Sequence, residues 1–231
     1  MKFKAIIFDF DGVLFDSERI HNQACNGVFH TLGFNISEEE YFQCYVGLSD
    51  NEMFPLILNG KNIACDTVKI PVLIEQKINA YRAIINNRKS LDGFLNVKDF
   101  VYAYSKQVDY LAICSGSTRV EVETTLNKLE NGTLRNFFSQ IITSEDVCNG
   151  KPSPEGYLLT AQRLKILPQD CLVIEDTQRG ATAAKLAGMS VVALSINKAD
   201  FENVDLIASN YEEIDTWIRR NSITKNRVEQ K

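Results

Sequence analysis

The stretch IIFDFDGVLFDSE, Ile6 to Glu18, decides the fold of this chain. It begins as an apolar run that reads as a buried strand. It then breaks at once into carboxylates, with Asp9, Asp11 and Asp16 close together. Crowded like charges repel, and burying them is costly, so some other part of the chain must compensate. In extended backbone Asp9 and Asp11 project to one side, and Phe10 projects to the other, into packing.

Working outward, strand and helix signals alternate from Val97 onward. The apolar runs YLAICS (Tyr110–Ser115), QIITS (Gln140–Ser144), CLVIED (Cys171–Asp176) and SVVALS suit buried parallel strands, and DLIAS suits a last one. TRVEVETTLNKLE carries Val122, Leu126 and Leu129 at helical spacing. SPEGYLLTAQRL reads as a helix with Pro154 in its first turn. GATAAKLAGM reads as a close-packing helix that stops at Gly188, and a final amphipathic helix runs around Ile214, Trp217 and Ile218. Between Asp16 and about Ser90 the period is helical throughout: Val28, Phe29 and Leu32; Tyr41, Phe42 and Tyr45; Leu73, Ile74, Ile78, Tyr81, Ile84 and Ile85. NGKNIACDTVKIP (Asn59–Pro71) reads as a loop in that region, and KSLDG (Lys89–Gly93) as the return linker. The expectation is an α/β fold: a Rossmann-like parallel sheet core, residues 1–16 and 91–231, with a helical cap, 17–90, inserted after the first strand.

The 231 residues, 45% hydrophobic and 24% charged, suffice for one good core and a smaller second module. No apolar run reaches the roughly 20 residues of a membrane span, and MKFKAIIFDF lacks the pattern of a signal peptide. A net charge of −5 argues against a general nucleic-acid binder, and the basic tail RRNSITKNRVEQK reads as a polar end. The six cysteines form no C-x-x-C pair and read as scattered thiols. These features point to a cytoplasmic protein with no nucleic-acid or membrane partner; a monomer is expected, though nothing in the sequence fixes the oligomeric state.

In an open parallel sheet, ligands bind beyond the carboxyl ends of the strands. Those ends carry Asp9 and Asp11, then Ser115 and Gly116, then Lys151 in NGKPSPE, and finally Glu175 and Asp176. The spacing from Ser115 to Lys151 to Asp176 suits single strand–helix units. The interval from Asp9 to Ser115 is far too long for one, and the helical insertion fills it. Clustered carboxylates without His or Cys suit a hard cation, Mg²⁺. A lysine beside a Ser-Gly turn suits a phosphate, held by ammonium, hydroxyl and backbone N–H groups. Of the two aspartates, one can attack phosphorus to give an aspartyl-phosphate, while the other protonates the leaving oxygen and later activates water.

DFDGVLFDSE, CSGS, KPSPEGY and VIEDTQRGATAAKLAGM resemble, in order, the four motifs of the haloacid dehalogenase-like hydrolase superfamily. Within it they are most similar to the subgroup of β-phosphoglucomutase and sugar-phosphate phosphatases with an α-helical cap. The resemblance implies Asp9 as nucleophile and Asp11 as general acid/base. It implies a Mg²⁺ site of Asp9, the backbone carbonyl of Asp11, and Asp176, with Glu175 reaching the metal through water. It implies phosphate binding by Ser115 and Lys151, with Gly12 turning the chain and offering its N–H. His21 falls where the mutase-like subgroup has a histidine near the site. Asp16 and Ser17 sit at the exit to the cap, in a hinge or capping role.

The activity implied is a Mg²⁺-dependent phosphatase acting on a small phosphorylated metabolite, a sugar phosphate. The alternative is a β-phosphoglucomutase-type phosphomutase, whose cap must hold a second phosphate. There YVGLSDNEMF carries Asp50 where the mutase-like pattern carries an arginine, which leaves Lys77, in EQKINAYR, as a candidate cation. Phosphonoacetaldehyde hydrolysis would need a cap lysine poised as a nucleophile. A non-catalytic binding protein would be expected to have lost Asp9 or Asp11, and neither is missing.

Overall fold

The first strand, β1 (Ala5–Phe8), alternates its side chains between two cores. Ile6 and Phe8 enter one buried cluster, and Ala5 and Ile7 enter the other. Only a strand covered on both faces gives this pattern, and each such aliphatic or aromatic side chain contributes about 1.5–3 kcal/mol of burial. The computed structural model describes residues 3–63, 69–195 and 201–223.

After β1 the chain leaves the sheet for four helices: α1 (Glu18–Phe29), α2 (Glu38–Cys44), α3 (Asp50–Gly60) and α4 (Lys69–Asn86). It returns through α5 (Val97–Tyr104) to β2 (Tyr110–Cys114), α6 (Arg119–Leu126) and β3 (Phe138–Ile142). Next come α7 (Glu155–Leu164), β4 (Cys171–Glu175), α8 (Gln178–Leu186), β5 (Ser190–Leu194), β6 (Leu206–Ala208) and α9 (Tyr211–Ile223). All the strand pairings are parallel, and the sheet order is β3-β2-β1-β4-β5-β6. The chain therefore builds one half of the sheet outward from β1, then returns to the other side of β1 for β4. The crevice between β1 and β4 is the switch point where such sheets bind ligands.

The inserted helices have a core of their own, with Cys25, Phe29, Tyr41, Phe54 and Ile57 buried together. Tyr81 and Ile85 of α4 instead join the core of the sheet, so the insert is anchored as well as covered. Several boundaries move from the sequence reading. The helix α6 stops at Leu126; the Leu129 N–H still donates to the Thr125 carbonyl at 2.8 Å, but its backbone turns extended (ψ 123°) and bridges Leu91. β3 starts at Phe138, two residues before the run that signalled it. α8 begins at Gln178, and Gly188 follows it with φ +79°, the left-handed position that glycine tolerates. Of the loop expected over Asn59–Pro71, the two ends belong to α3 and α4, and residues 64–68 lie outside the described residues. Cys65 and the tail beyond Ile223 lie outside them too. The five described cysteines are free thiols. Among the described residues, no helix is long and apolar enough to cross a membrane.

Candidate active site

β1 pairs with β4 in register, Phe8 opposite Ile174, and the Asp9 N–H donates to the Ile174 carbonyl at 2.9 Å. This carries Asp9 and the Glu175–Asp176 pair out of adjacent strand ends together. Oxygens of Asp9, Glu175 and Asp176 all lie within 4.8 Å of one another. Phe10 is buried in the sheet core, so the two-residue alternation leaves Asp9 and Asp11 on the same edge, as the sequence implied. Burial lifts Asp9 well above the usual carboxylate range. Lys151 opposes that lift, while Glu175 and Asp11 add to it. Asp176 is lifted likewise, first by burial and then by the neighbouring carboxylates.

Lys151 supplies the first compensation. Its ammonium donates to Asp9 Oδ1, to Glu175 Oε1 at 2.5 Å and to the Cys114 carbonyl at 3.1 Å. Glu175 is fully buried and saturated. Oε1 also accepts from the Tyr157 hydroxyl at 2.7 Å, while Oε2 accepts from the N–H groups of Asp176 and Thr177 and from the Thr177 hydroxyl. Its role in this arrangement is to hold Lys151 and tie the turn that presents Asp176.

Asp176 is different, since its Oδ1 is buried with no hydrogen-bond partner. An orphaned carboxylate oxygen in a cluster that, among the described residues, is made of carboxylates alone fits a hard cation. Gly12 makes room for it. A Cβ at Gly12 would stand 1.8 Å from Asp176 Oδ2, and the residue has φ +76°. The Gly12 N–H, expected to face a phosphate, instead donates to the Phe15 carbonyl at 3.0 Å within the turn.

Asp11, on the same edge, is held by a different set of groups. Oδ1 accepts from the Ser17 hydroxyl at 2.5 Å and lies 3.2 Å from His21 Nε2, and Oδ2 accepts from the Ser117 hydroxyl at 2.6 Å. Burial acts to raise its pKa, but His21 and the hydroxyls outweigh burial and hold the carboxyl below the usual range. Ser17 stands at the N-terminus of α1, yet its side chain makes no cap there, having been taken by Asp11. Asp16 is exposed at the exit from the core. Ser115 does not cap the helix that follows it. α6 is capped by Thr118, and the Ser115 hydroxyl accepts from the Ser117 N–H at 2.9 Å and approaches Asp11 at 3.4 Å. Gly116 and Ser117 line the cavity above.

The insert closes this edge. A cavity of about 70 Å³ is bounded by Asp9, Asp11, Lys151 and Asp176 from the sheet and by Glu18, Tyr41, Asp50 and Lys77 from the insert. Lys77 reaches it, but its ammonium is held by Asp50 at 2.9 Å and by Glu121 of α6 at 2.8 Å. Burial would lower the lysine pKa, but the two carboxylates carry it well above the ordinary value. His21 stacks on Tyr81, with ring centroids 4.5 Å apart.

Glu121, Tyr157, Ser117 and Thr177 escaped the sequence reading as site residues. Thr118-x-x-Glu121 is legible as a capping box, but nothing local shows that Glu121 also meets a lysine 44 positions away. Tyr157, Ser117 and Thr177 lie inside the quoted motifs without any signal of their contacts.

The sequence profile of the haloacid dehalogenase-like hydrolases matches residues 6–194. A phosphorylated carbohydrates phosphatase of Thermotoga maritima is 31% identical over 188 residues, covering 80% of this chain and 82% of that protein. The protein CbbY of Rhodobacter capsulatus is 30% identical over 196 residues, covering 83% and 85%. Among solved structures, a β-phosphoglucomutase of Clostridium difficile superposes with a TM-score of 0.82 at 24% identity, covering 96% of this chain and 99% of that one, a likeness of fold.

Proposed function

This chain belongs to the haloacid dehalogenase-like hydrolase family, and on that premise we propose that it is a Mg²⁺-dependent phosphatase of a small sugar monophosphate, working through an aspartyl-phosphate on Asp9. The observation that carries the proposal is the pairing of the buried Asp9 carboxylate with Lys151, beside the unpartnered Oδ1 of Asp176. Asp9 attacks phosphorus. Lys151, already held over Asp9 by Glu175, faces the phosphoryl oxygens and offsets their charge. Asp11 is on the same edge, fixed by Ser17, Ser117 and His21; as a carboxylate it takes the proton of the attacking water, and it serves the leaving oxygen only after taking up a proton, for which His21 beside it is the neighbouring donor. Asp9 and Asp176 would hold Mg²⁺, with the Asp11 carbonyl as a further ligand, and the ion would neutralise charge between nucleophile and phosphate. Gly116 and Ser117 line the cavity on this side, with Ser115 behind them accepting from the Ser117 N–H.

The wall contributed by the insert favours a monophosphate. Its carboxylates, Glu18 and Asp50, line the cavity and can accept hydrogen bonds from substrate hydroxyls, and Lys77 is already shared between Asp50 and Glu121. Among the described residues lining the cavity, a second phosphate would meet carboxylates whose lysine is already taken, which weighs against a phosphomutase. Lys77 held as ammonium is likewise a poor Schiff-base nucleophile, which weighs against phosphonoacetaldehyde hydrolysis. The test is phosphate release across sugar monophosphates, polyol phosphates and nucleotides, with Asp9→Asn alongside. Hydrolysis that Asp9→Asn abolishes, while leaving the unfolding transition in place, supports the proposal. Conversion of β-glucose 1-phosphate to glucose 6-phosphate with catalytic bisphosphate, in place of free phosphate, would overturn it.

A further inference from the structure

Arg179, in the first turn of α8, takes no part in the chemistry above, yet it touches both sides of the cleft. Its Nη2 donates to the main-chain carbonyl of Lys151 at 2.5 Å and to Glu52 Oε1 at 2.6 Å. Glu52 belongs to the insert. Its other oxygen, Oε2, accepts from the N–H and hydroxyl of Ser49 at 3.0 and 2.9 Å and so completes the N-terminus of α3. One oxygen thus finishes the helix while the other crosses to the sheet. The turn before α3 brings Leu48 to the cavity and packs Gly47 against Thr177, where an added Cβ would stand 3.2 Å from Cγ2.

The half-open cavity of about 70 Å³ is well below the roughly 300–1,000 Å³ that buries a small-molecule ligand, which favours an insert that lifts to admit a sugar phosphate and settles again around it. Lifting breaks the Glu52 contact. The Arg179 side chain is about a third exposed and that of Glu52 more so (34% and 42%), so the pair adds little stability by itself. What it provides is geometry, since a planar guanidinium can serve two acceptors from one edge and an ammonium holds neither so rigidly. The Arg179 Nε is buried without a partner, a cost that the two Nη2 bonds offset.

We propose that Arg179 is a positioning residue that makes the placement of Lys151 depend on the docking of the insert through Glu52. The inference rests on Lys151 being the phosphate-facing cation. With the insert down, Glu52 orients the guanidinium, and the guanidinium fixes the backbone of Lys151. With the insert lifted, Arg179 loses one of its two anchors, and the segment around Lys151 loosens.

The test uses the full chain as wild type, Glu52→Ala, Arg179→Gln, the double variant, and Ser49→Ala, which removes the Ser49 hydroxyl bond to Glu52 at the start of α3 but leaves Glu52 facing Arg179. Amide hydrogen exchange is followed over residues 147–153, and hydrolysis of p-nitrophenyl phosphate is measured with Mg²⁺. The expected result is faster exchange at 147–153 in Glu52→Ala and Arg179→Gln but not in Ser49→Ala. It also includes about a five-fold loss of kcat in each of the first two variants, with the double no worse than the poorer single. Exchange at 147–153 unaffected by Glu52→Ala, or additive losses in the double, would overturn the proposal. If the wild type hydrolysed no phosphate ester, the phosphatase reading would fail, while the exchange result would still decide whether Glu52 and Lys151 are coupled.

Discussion

Gly180 lies in the first turn of α8, where replacing glycine by alanine ordinarily stabilises a helix by up to about 1 kcal/mol. Here Gly180→Ala should do the reverse. An added Cβ would stand 1.7 Å from Glu175 Oε1. To reach ordinary contact at about 3.4 Å the carboxylate must retreat by about 1.7 Å. Glu175 is fully buried and has no free direction, because Oε1 holds Lys151 at 2.5 Å and Tyr157 at 2.7 Å. A retreat breaks those bonds and leaves Lys151 with half its countercharge, and disrupting a buried pair this way costs about 3–5 kcal/mol. Set against the helix gain, the net loss is about 2–4 kcal/mol, a large share of the 5–15 kcal/mol typical of a folded domain. Urea unfolding of the two proteins measures it directly, with the m-value checking that both unfold alike. Activity should fall as well, since Lys151 depends on Glu175. A neutral or stabilising Gly180→Ala would refute the claim that Glu175 is locked in place by the close approach of α8.

Mg²⁺ should stabilise the protein, and more so towards neutral pH. Asp9 and Asp176 hold their protons to higher pH in the folded chain than in the unfolded chain. The metal-free protein therefore loses stability as pH rises from the ordinary carboxylate range through their raised values. Millimolar Mg²⁺, which requires the ionised carboxylates, should restore it, by about 2.7 kcal/mol at a hundred times its Kd. Thermal melts across pH with and without the ion check this, and an unmoved midpoint would contradict the assignment of these oxygens to a cation. Lys77→Met should cost about 3–5 kcal/mol by leaving the Asp50 and Glu121 carboxylates buried without their shared ammonium. A loss below about 1 kcal/mol in urea unfolding, the worth of an exposed pair, would show that the cluster is solvated.

The strands were legible because each is a short apolar run, and the residue types at their ends already pointed to a cation and a phosphate. Helix limits were less so. Leu129 keeps the helical period of α6 but pairs with Leu91, a contact that no local pattern records. The Gly12 turn was legible, but its reason was not. Sequence suggested an N–H for phosphate, and the structure instead spends that N–H on Phe15 and uses the missing side chain to admit Asp176.

What the sequence by itself determined is the edge: Asp9 and Asp11 share a side because the strand period is two, and Lys151 and Asp176 join them because parallel strands end together. Tertiary structure alone decided the partnerships across that edge. Asp11 goes to Ser17, His21 and Ser117, Lys151 is shared by Asp9 and Glu175, and Lys77 is consumed by Asp50 and Glu121. These contacts join residues far apart in the chain, and each depends on where the insert settles on the sheet. Periodicity sets which way a side chain points along its own element; it carries no record of which other element arrives to meet it.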